Sequence, residues 1–140
     1  MKSLIFIFLF LLSSVVSADL TGTALVVDGD SITISGNKIR LSGIDAPEKN
    51  QTCRKVGSTW RCGYEATETL RNWTYTKEVR CVGDTKDPDG TLIANCFVDG
   101  YNVNARLVYE GLALAYRKYS KQYVPEEDKA RAAKRGMWAG

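Results

Sequence analysis

Histidine is absent from all 140 residues. The chain therefore cannot hold a Ser-His-Asp triad, a Cys-His pair or any nuclease mechanism built on a histidine base or nucleophile. A carboxylate, helped by a metal, is the general base that remains. Cysteine is limited to four residues and none is spaced as C-x-x-C, so a zinc site is not expected. Charge of one sign is also lacking. The formal net charge is only +3, so attraction for anions must come from local clusters such as Arg117, Lys118 and Lys121, or Lys129, Arg131, Lys134 and Arg135. After Val16 no run is apolar enough to provide the roughly 20 residues that span a bilayer.

The N-terminus has its own pattern. Lys2 precedes an apolar stretch from Leu4 to Val16, and Val16-Ser17-Ala18 resembles a small-residue cleavage site. This predicts a secretory signal peptide over residues 1–18 and one domain over 19–140. The mature protein is then expected to be secreted or periplasmic, monomeric and without stable membrane association. An even number of cysteines in an exported chain predicts disulfides. Of the three possible pairings, Cys53–Cys62, closing a loop, and Cys81–Cys96, joining adjacent strands, are favoured. A loop as short as the first stabilises by about 2–3 kcal/mol in the chain-entropy model.

Periodicity predicts the elements. Residues 21–27, 31–34 and 38–41 read as strands separated by Asp28-Gly29 and Ser35-Gly36-Asn37 turns. Residues 43–59 read as a loop punctuated by Pro47 and Gly57. In 64–76, Ala66, Leu70 and Trp73 share a helical face. Strands over 78–82 and 91–98 flank Asp87-Pro88-Asp89-Gly90, which reads as a hairpin turn rather than a calcium loop because EF-hand spacing is missing. A short helix over 103–110, stopped by Gly111, precedes a last strand at 113–116 and a closing helix from Pro125. Glu126, Glu127 and Asp128 near its start and Lys134 and Arg135 near its end read as helix stabilisers, and Met137 and Trp138 as core anchors. About five short strands and three helices suggest an α+β, mainly β protein: an OB-fold, the five-stranded Greek-key barrel.

Two runs carry the chemistry: Asp28-Gly29-Asp30-Ser31, and Arg40-Leu41-Ser42-Gly43-Ile44-Asp45-Ala46-Pro47-Glu48. Converging carboxylates repel unless a cation lies between them, and hard oxygen donors suit Ca2+ or Mg2+. An arginine beside them can grip a phosphate with its planar fork of donors. Metal, carboxylate base and arginine together point to phosphodiester hydrolysis.

At these residues the chain resembles the staphylococcal nuclease (thermonuclease) family. The D-G-D-S run and the spacing from Arg40 to Asp45, Pro47 and Glu48 carry the likeness. It continues through Cys62-Gly63, Leu92-Ile93-Ala94, Val98-Asp99-Gly100, Val103-Asn104, Gly111-Leu112-Ala113 and Ala115-Tyr116. The resemblance implies a Ca2+-dependent nuclease acting on DNA or RNA, with single-stranded nucleic acid favoured. Asp30 and Asp45 would give carboxylate oxygens to the Ca2+ and Ala46 its backbone carbonyl, with Asp28 just outside the ligands. Glu48 would orient or deprotonate water, Arg40 would bind the scissile phosphate, and Tyr116 would lie near the nucleotide.

One departure stands out. The family's second catalytic arginine, in a G-R motif, aligns with Thr91 in Gly90-Thr91, and its neighbouring basic and aromatic positions fall on Pro88 and Asp89. An arginine on a transferring phosphoryl group can be worth ~10³–10⁵ in rate. Its loss supports an alternative reading as a weakened or inactive module that binds nucleic acid or another anion. Lys86, Arg117 and Lys118 are the nearby cations able to replace it. A disulfide-stapled structural or interaction domain of the cell envelope is the third reading.

Overall fold

Strict alternation of buried and half-buried residues along Leu92–Val98 marks the central strand of the fold, as period-two side-chain placement requires of a strand with one face in a core. In the computed structural model residues 8–12 and 18–140 are described, so the signal-peptide reading of residues 1–18 falls mostly outside the described residues. Among these, no helix is long and apolar enough to cross a membrane.

In chain order the elements are β1 (Ala18–Gly22), β2 (Ala24–Asp28), β3 (Ser31–Ile34), β4 (Asn37–Leu41), β5 (Ile44–Asp45), β6 (Cys53–Lys55), β7 (Ser58–Trp60), α1 (Cys62–Thr74), β8 (Val79–Lys86), β9 (Leu92–Val98), β10 (Tyr101–Asn102), α2 (Val103–Tyr109), β11 (Leu114–Ala115) and α3 (Val124–Ala132), with a 3-10 turn at Gly136–Trp138. The main sheet runs β1-β8-β9-β4-β3-β2, with β10 added to β9. Its pairs are antiparallel except β4 with β9, which is parallel. This is the expected mainly-β α+β architecture, an OB-type curled sheet.

The first strand is split, where sequence periodicity predicts one continuous strand. β1 pairs with β8 and β2 with β3, so two halves of one segment serve opposite ends of the sheet. Gly22 marks the break. A Cβ there would lie 2.9 Å from Ile34 Cγ2, so only glycine lets the chain bend against β3. β8 also outruns its expected end at Val82. It continues through a bulge between Val82 and Thr85 because a Gly83 Cβ would sit 2.2 Å from the Ile93 carbonyl oxygen. The expected turn after it is present: Gly90 has φ +81° and donates its N–H to the Asp87 carbonyl at 3.0 Å.

Ile32, Ile34, Ile39, Leu41, Ile44, Leu70, Val79, Leu92, Leu107 and Val108 fill the barrel with essentially no exposure, and each such side chain contributes about 1.5–3 kcal/mol. Both disulfides form as favoured, Cys53–Cys62 and Cys81–Cys96. The second joins directly paired residues of β8 and β9. Residues 43–59, expected to be a loop, instead contain β5 and the β6–β7 hairpin, which Cys53–Cys62 closes. Met137 and Trp138 correct another expectation. They lie half-exposed in the terminal turn and outside the core, with Arg131 over the Trp138 ring at 4.5 Å.

One buried polar side chain ties these layers together. Asn104, fully buried at the start of α2, accepts from Cys96 N–H at 3.1 Å and donates to the carbonyls of Ser42 at 3.0 Å and Ala94 at 3.1 Å. It joins α2, β9 and the end of β4 in a single set of bonds. Asn104→Ala orphans those buried groups. It is expected to lower stability by about 2–3 kcal/mol and Tm by on the order of 10 °C, measured by thermal denaturation.

Candidate active site

Gly29 sits where three segments meet. A Cβ there would lie 2.8 Å from Ala46 Cβ and 3.0 Å from Ala66 Cβ, so the β2–β3 turn, the segment after β5 and helix α1 approach one another only over a glycine. The flanking aspartates are thereby aimed at the same place. Asp28 Oδ1 accepts the Asp30 N–H at 3.2 Å. Asp30, only 5% exposed, uses Oδ2 to accept the Ala46 N–H at 2.9 Å.

Arg40 on β4 faces Asp30 because Ser31 and Arg40 are register partners. Its Nη1 lies 3.4 Å from Asp30 Oδ1, and its Nη2 lies 3.7 Å from Asp45 Oδ1 while donating to the Ile44 carbonyl at 3.4 Å. Asp30, Arg40 and Asp45 are thus brought together, with Ala46 bonded to the first. Burial pushes the Asp30 carboxyl up to about 7; the Ala46 N–H and Arg40 pull it down, and Asp28 adds to the rise. A carboxylate so short of compensating positive charge is chemically suited to a hard cation. Among the described residues no group of three or more His, Cys, Asp or Glu side chains is gathered to hold a metal. The donors available are Asp30, the exposed Asp45 and backbone carbonyls, a set that fits a calcium-type ion retaining several waters.

Glu48 is exposed, two residues beyond Ala46. Its N–H donates to Gln51 Oε1 at 3.2 Å, and its carbonyl accepts the Gln51 N–H at 2.8 Å. The first turn of α1 presses on the same peptide: a Cβ on Gly63 would fall 1.6 Å from the Glu48 oxygen.

On its other side Arg40 opens onto a pocket of about 690 Å³ whose wall includes Ile93, Asp87, Pro88, Tyr116 and Tyr119. That volume lies in the small-ligand range. Pairing of β5 with β11 and a Tyr116 N–H bond to the Gly43 carbonyl at 2.9 Å fix the tyrosine there. The Arg40 guanidinium is 6.0 Å from its ring centre, and Tyr119 meets it edge to face at 4.7 Å. Tyr119 and Gln51 escape a motif reading; a second tyrosine three residues after Tyr116 within a basic loop is the available signal for the first of them.

Residues 38–140 match the model of the family described as Staphylococcal nuclease homologue. The chain belongs to that family. An uncharacterized endonuclease of Escherichia coli O157:H7 is 32% identical over 148 residues, covering 99% of this chain and 91% of the relative. The micrococcal nuclease of Shigella flexneri is 30% identical over 140 residues, covering 87% and 75%. The succinoglycan biosynthesis protein ExoI of Rhizobium meliloti (strain 1021) is 33% identical over 121 residues, covering 84% of this chain and 63% of its own. The chain also spans 63% of an uncharacterized endonuclease of Haemophilus influenzae. For this staphylococcal nuclease homologue, Arg40, Asp45 and Glu48 lie inside the matched region, and Asp28 and Asp30 lie before it.

Ile93 is the register partner of Arg40, and Thr91 lies two residues before it, just outside β9. Its N–H is held by Asp87 Oδ1 at 3.0 Å. The three replacement cations fare differently. Arg117 is committed to Glu127 at 2.7 Å and lies 3.8 Å from Asp128, while Glu127 also accepts the Ala115 N–H at 3.1 Å. Lys118 lies 5.6 Å from the centre of the ring of Tyr119, a residue of the pocket wall. Lys86 is exposed at the end of β8.

The raised Asp30 value fixes a sign. The metal-free native state holds a proton that the unfolded chain, with an ordinary carboxyl near 3.8, has already released. This group's stabilising contribution is therefore complete below about pH 4 and is lost as pH rises to about 7. In chelator, the Tm advantage of Asp30→Asn over wild type is expected to be larger at pH 8 than at pH 5, measured by calorimetry.

Proposed function

We propose that the protein is an exported, monomeric nuclease that hydrolyses phosphodiester bonds of DNA or RNA, with single strands favoured and Ca2+ as its metal. The observation that carries this reading is the linked trio Asp30, Arg40 and Asp45, whose arginine also lines a tyrosine-walled pocket of small-ligand size. The names of several relatives, among them micrococcal nuclease, support the same chemistry. Two disulfides accord with a secreted or periplasmic location, and a signal peptide over residues 1–18 would supply the route.

Asp30, Asp45 and the Ala46 carbonyl would hold the cation, with Asp28 bonded to Asp30 behind them. When bound, the ion supplies charge neutralisation at the phosphate oxygens. Arg40 turns its donors to the same phosphate and stabilises the negative charge that builds up as phosphorus becomes five-coordinate. Glu48 orients a water and accepts its proton as the oxygen bonds to phosphorus. The bond from phosphorus to one sugar oxygen breaks, and that oxygen takes a proton from solvent. The tyrosines offer faces on which a base stacks.

Thr91 favours a second reading, a weakened enzyme or a binding module, since Arg117 is held by Glu127. Incubation with single-stranded DNA separates the two. The enzyme is expected to cut in Ca2+, to stop in chelator, and to lose about 10²–10⁴-fold in Glu48→Gln, the usual worth of a general base. Uncut DNA that remains bound would establish the binding module instead. Thr91→Arg is expected to raise kcat at least tenfold, a small share of the ~10³–10⁵ an arginine can provide on a phosphoryl group.

A further inference from the structure

Positive charge is concentrated in one small protrusion. Lys49, Arg54, Lys55 and Arg61 all lie on the hairpin formed by β6 and β7 and its two roots, and no carboxylate occurs between Lys49 and Tyr64. The net charge of the whole chain is +3, less than these four cations alone, so the remainder of the chain is net negative. All four are exposed. None enters an ion pair among the described residues, whereas Arg40, Arg71, Lys77, Arg80 and Arg117 all do.

The placement of this protrusion is specific. It leaves the site at the residue after Glu48 and returns at Arg61, immediately before Cys62 and the Gly63 that presses on the Glu48 carbonyl. Cys53–Cys62 holds its two roots 5.6 Å apart at Cα. Arg61 lies over the Tyr64 ring at 4.2 Å, and Tyr64 is 41% exposed. Cations tracking a backbone beside an exposed aromatic ring are the ingredients of a single-strand surface. The turn that borders the Arg40 pocket has the other sign: Asp84, Asp87 and Asp89 surround a single Lys86, with Asp87 in the pocket wall itself, which repels phosphates.

We propose that the disulfide-closed hairpin is a second substrate surface, binding the phosphates of the strand that extends from the scissile bond past Glu48, while the acidic turn keeps the strand from leaving across it. The proposal rests on the nuclease reading for its location and adds a footprint to it. A substrate with a single phosphodiester cannot reach the hairpin; a longer strand can.

The triple variant Lys49→Gln, Arg54→Gln, Arg61→Gln is compared with a control of equal charge, Lys121→Gln, Lys129→Gln, Lys134→Gln. Each is cut against a dinucleotide and a single strand of about twenty nucleotides, with thermal melts confirming the fold. The hairpin variant is expected to lose at least tenfold in kcat/KM on the long strand and to keep its rate on the dinucleotide, while the control keeps both. By fluorescence anisotropy with the labelled long strand, the slope of log Kd against log salt is expected to shrink by about 2, three contacts at ~0.7 each. Equal losses on both substrates, or a control that matches the hairpin variant, would overturn the proposal. So would an unchanged slope with hairpin-dependent binding to phosphatidylglycerol vesicles, which assigns the surface to membranes. Should wild type cut neither substrate, the nuclease reading fails, and the anisotropy arm alone decides the hairpin.

Discussion

The carboxyl group of Asp30 is the constraint around which the site is arranged. A charge taken out of water needs donors, and this one is met by the Ala46 N–H and the Arg40 guanidinium. Those partners belong to β4 and to the segment after β5, so one buried group draws together parts of the chain that share no hydrogen-bonded ladder of their own. Gly29 permits the approach on one side and Gly63 on the other. The compensation is incomplete, which is why the carboxyl holds its proton so far above the ordinary range. A pocket left short of positive charge is unfavourable for the empty fold and favourable for a bound cation, a trade of stability for chemistry common at active sites.

Around that centre the cations are divided by task. Arg40 faces two carboxylates and a tyrosine at once, and half-exposed it can still turn to a phosphate. Arg117, next to Tyr116 in sequence, looks equally suited but is fastened to the buried Glu127, which also caps the β11 backbone. It holds up the wall of the pocket and is not available within it. A further group of cations, Lys49, Arg54, Lys55 and Arg61, is found on the hairpin beyond Glu48, where it meets solvent.

The barrel was legible because burial alternates with period two along the strands and with helical spacing along Ala66, Leu70 and Trp73. The linked trio was legible because its residues lie in two short motifs. What escaped the sequence depends on close approach between distant segments. The split of the first strand turns on a Gly22 contact with Ile34, and the extension of β8 on Gly83 beneath Ile93. Residues 43–59 carry loop-like composition, yet a disulfide and a two-residue turn make a hairpin of them. Met137 and Trp138 are apolar enough for a core, but the chain reaches them after the core is already closed. The pairing of Arg117 with Glu127 joins a loop to a helix face and leaves no trace in either local pattern.

The two disulfides differ in a way that bears on how the molecule is made. Both sulfurs of Cys81–Cys96 are fully buried between β8 and the core, and exchange requires a third sulfur to approach one of them directly. Once the barrel has closed around that bond, an oxidant or a reductant reaches it only when β8 and β9 open. Its formation is therefore fastest while the chain is still open, and a chain that folds ahead of its oxidant shelters its own thiols. Cys53, half-exposed at the root of the outer hairpin, has no such shelter.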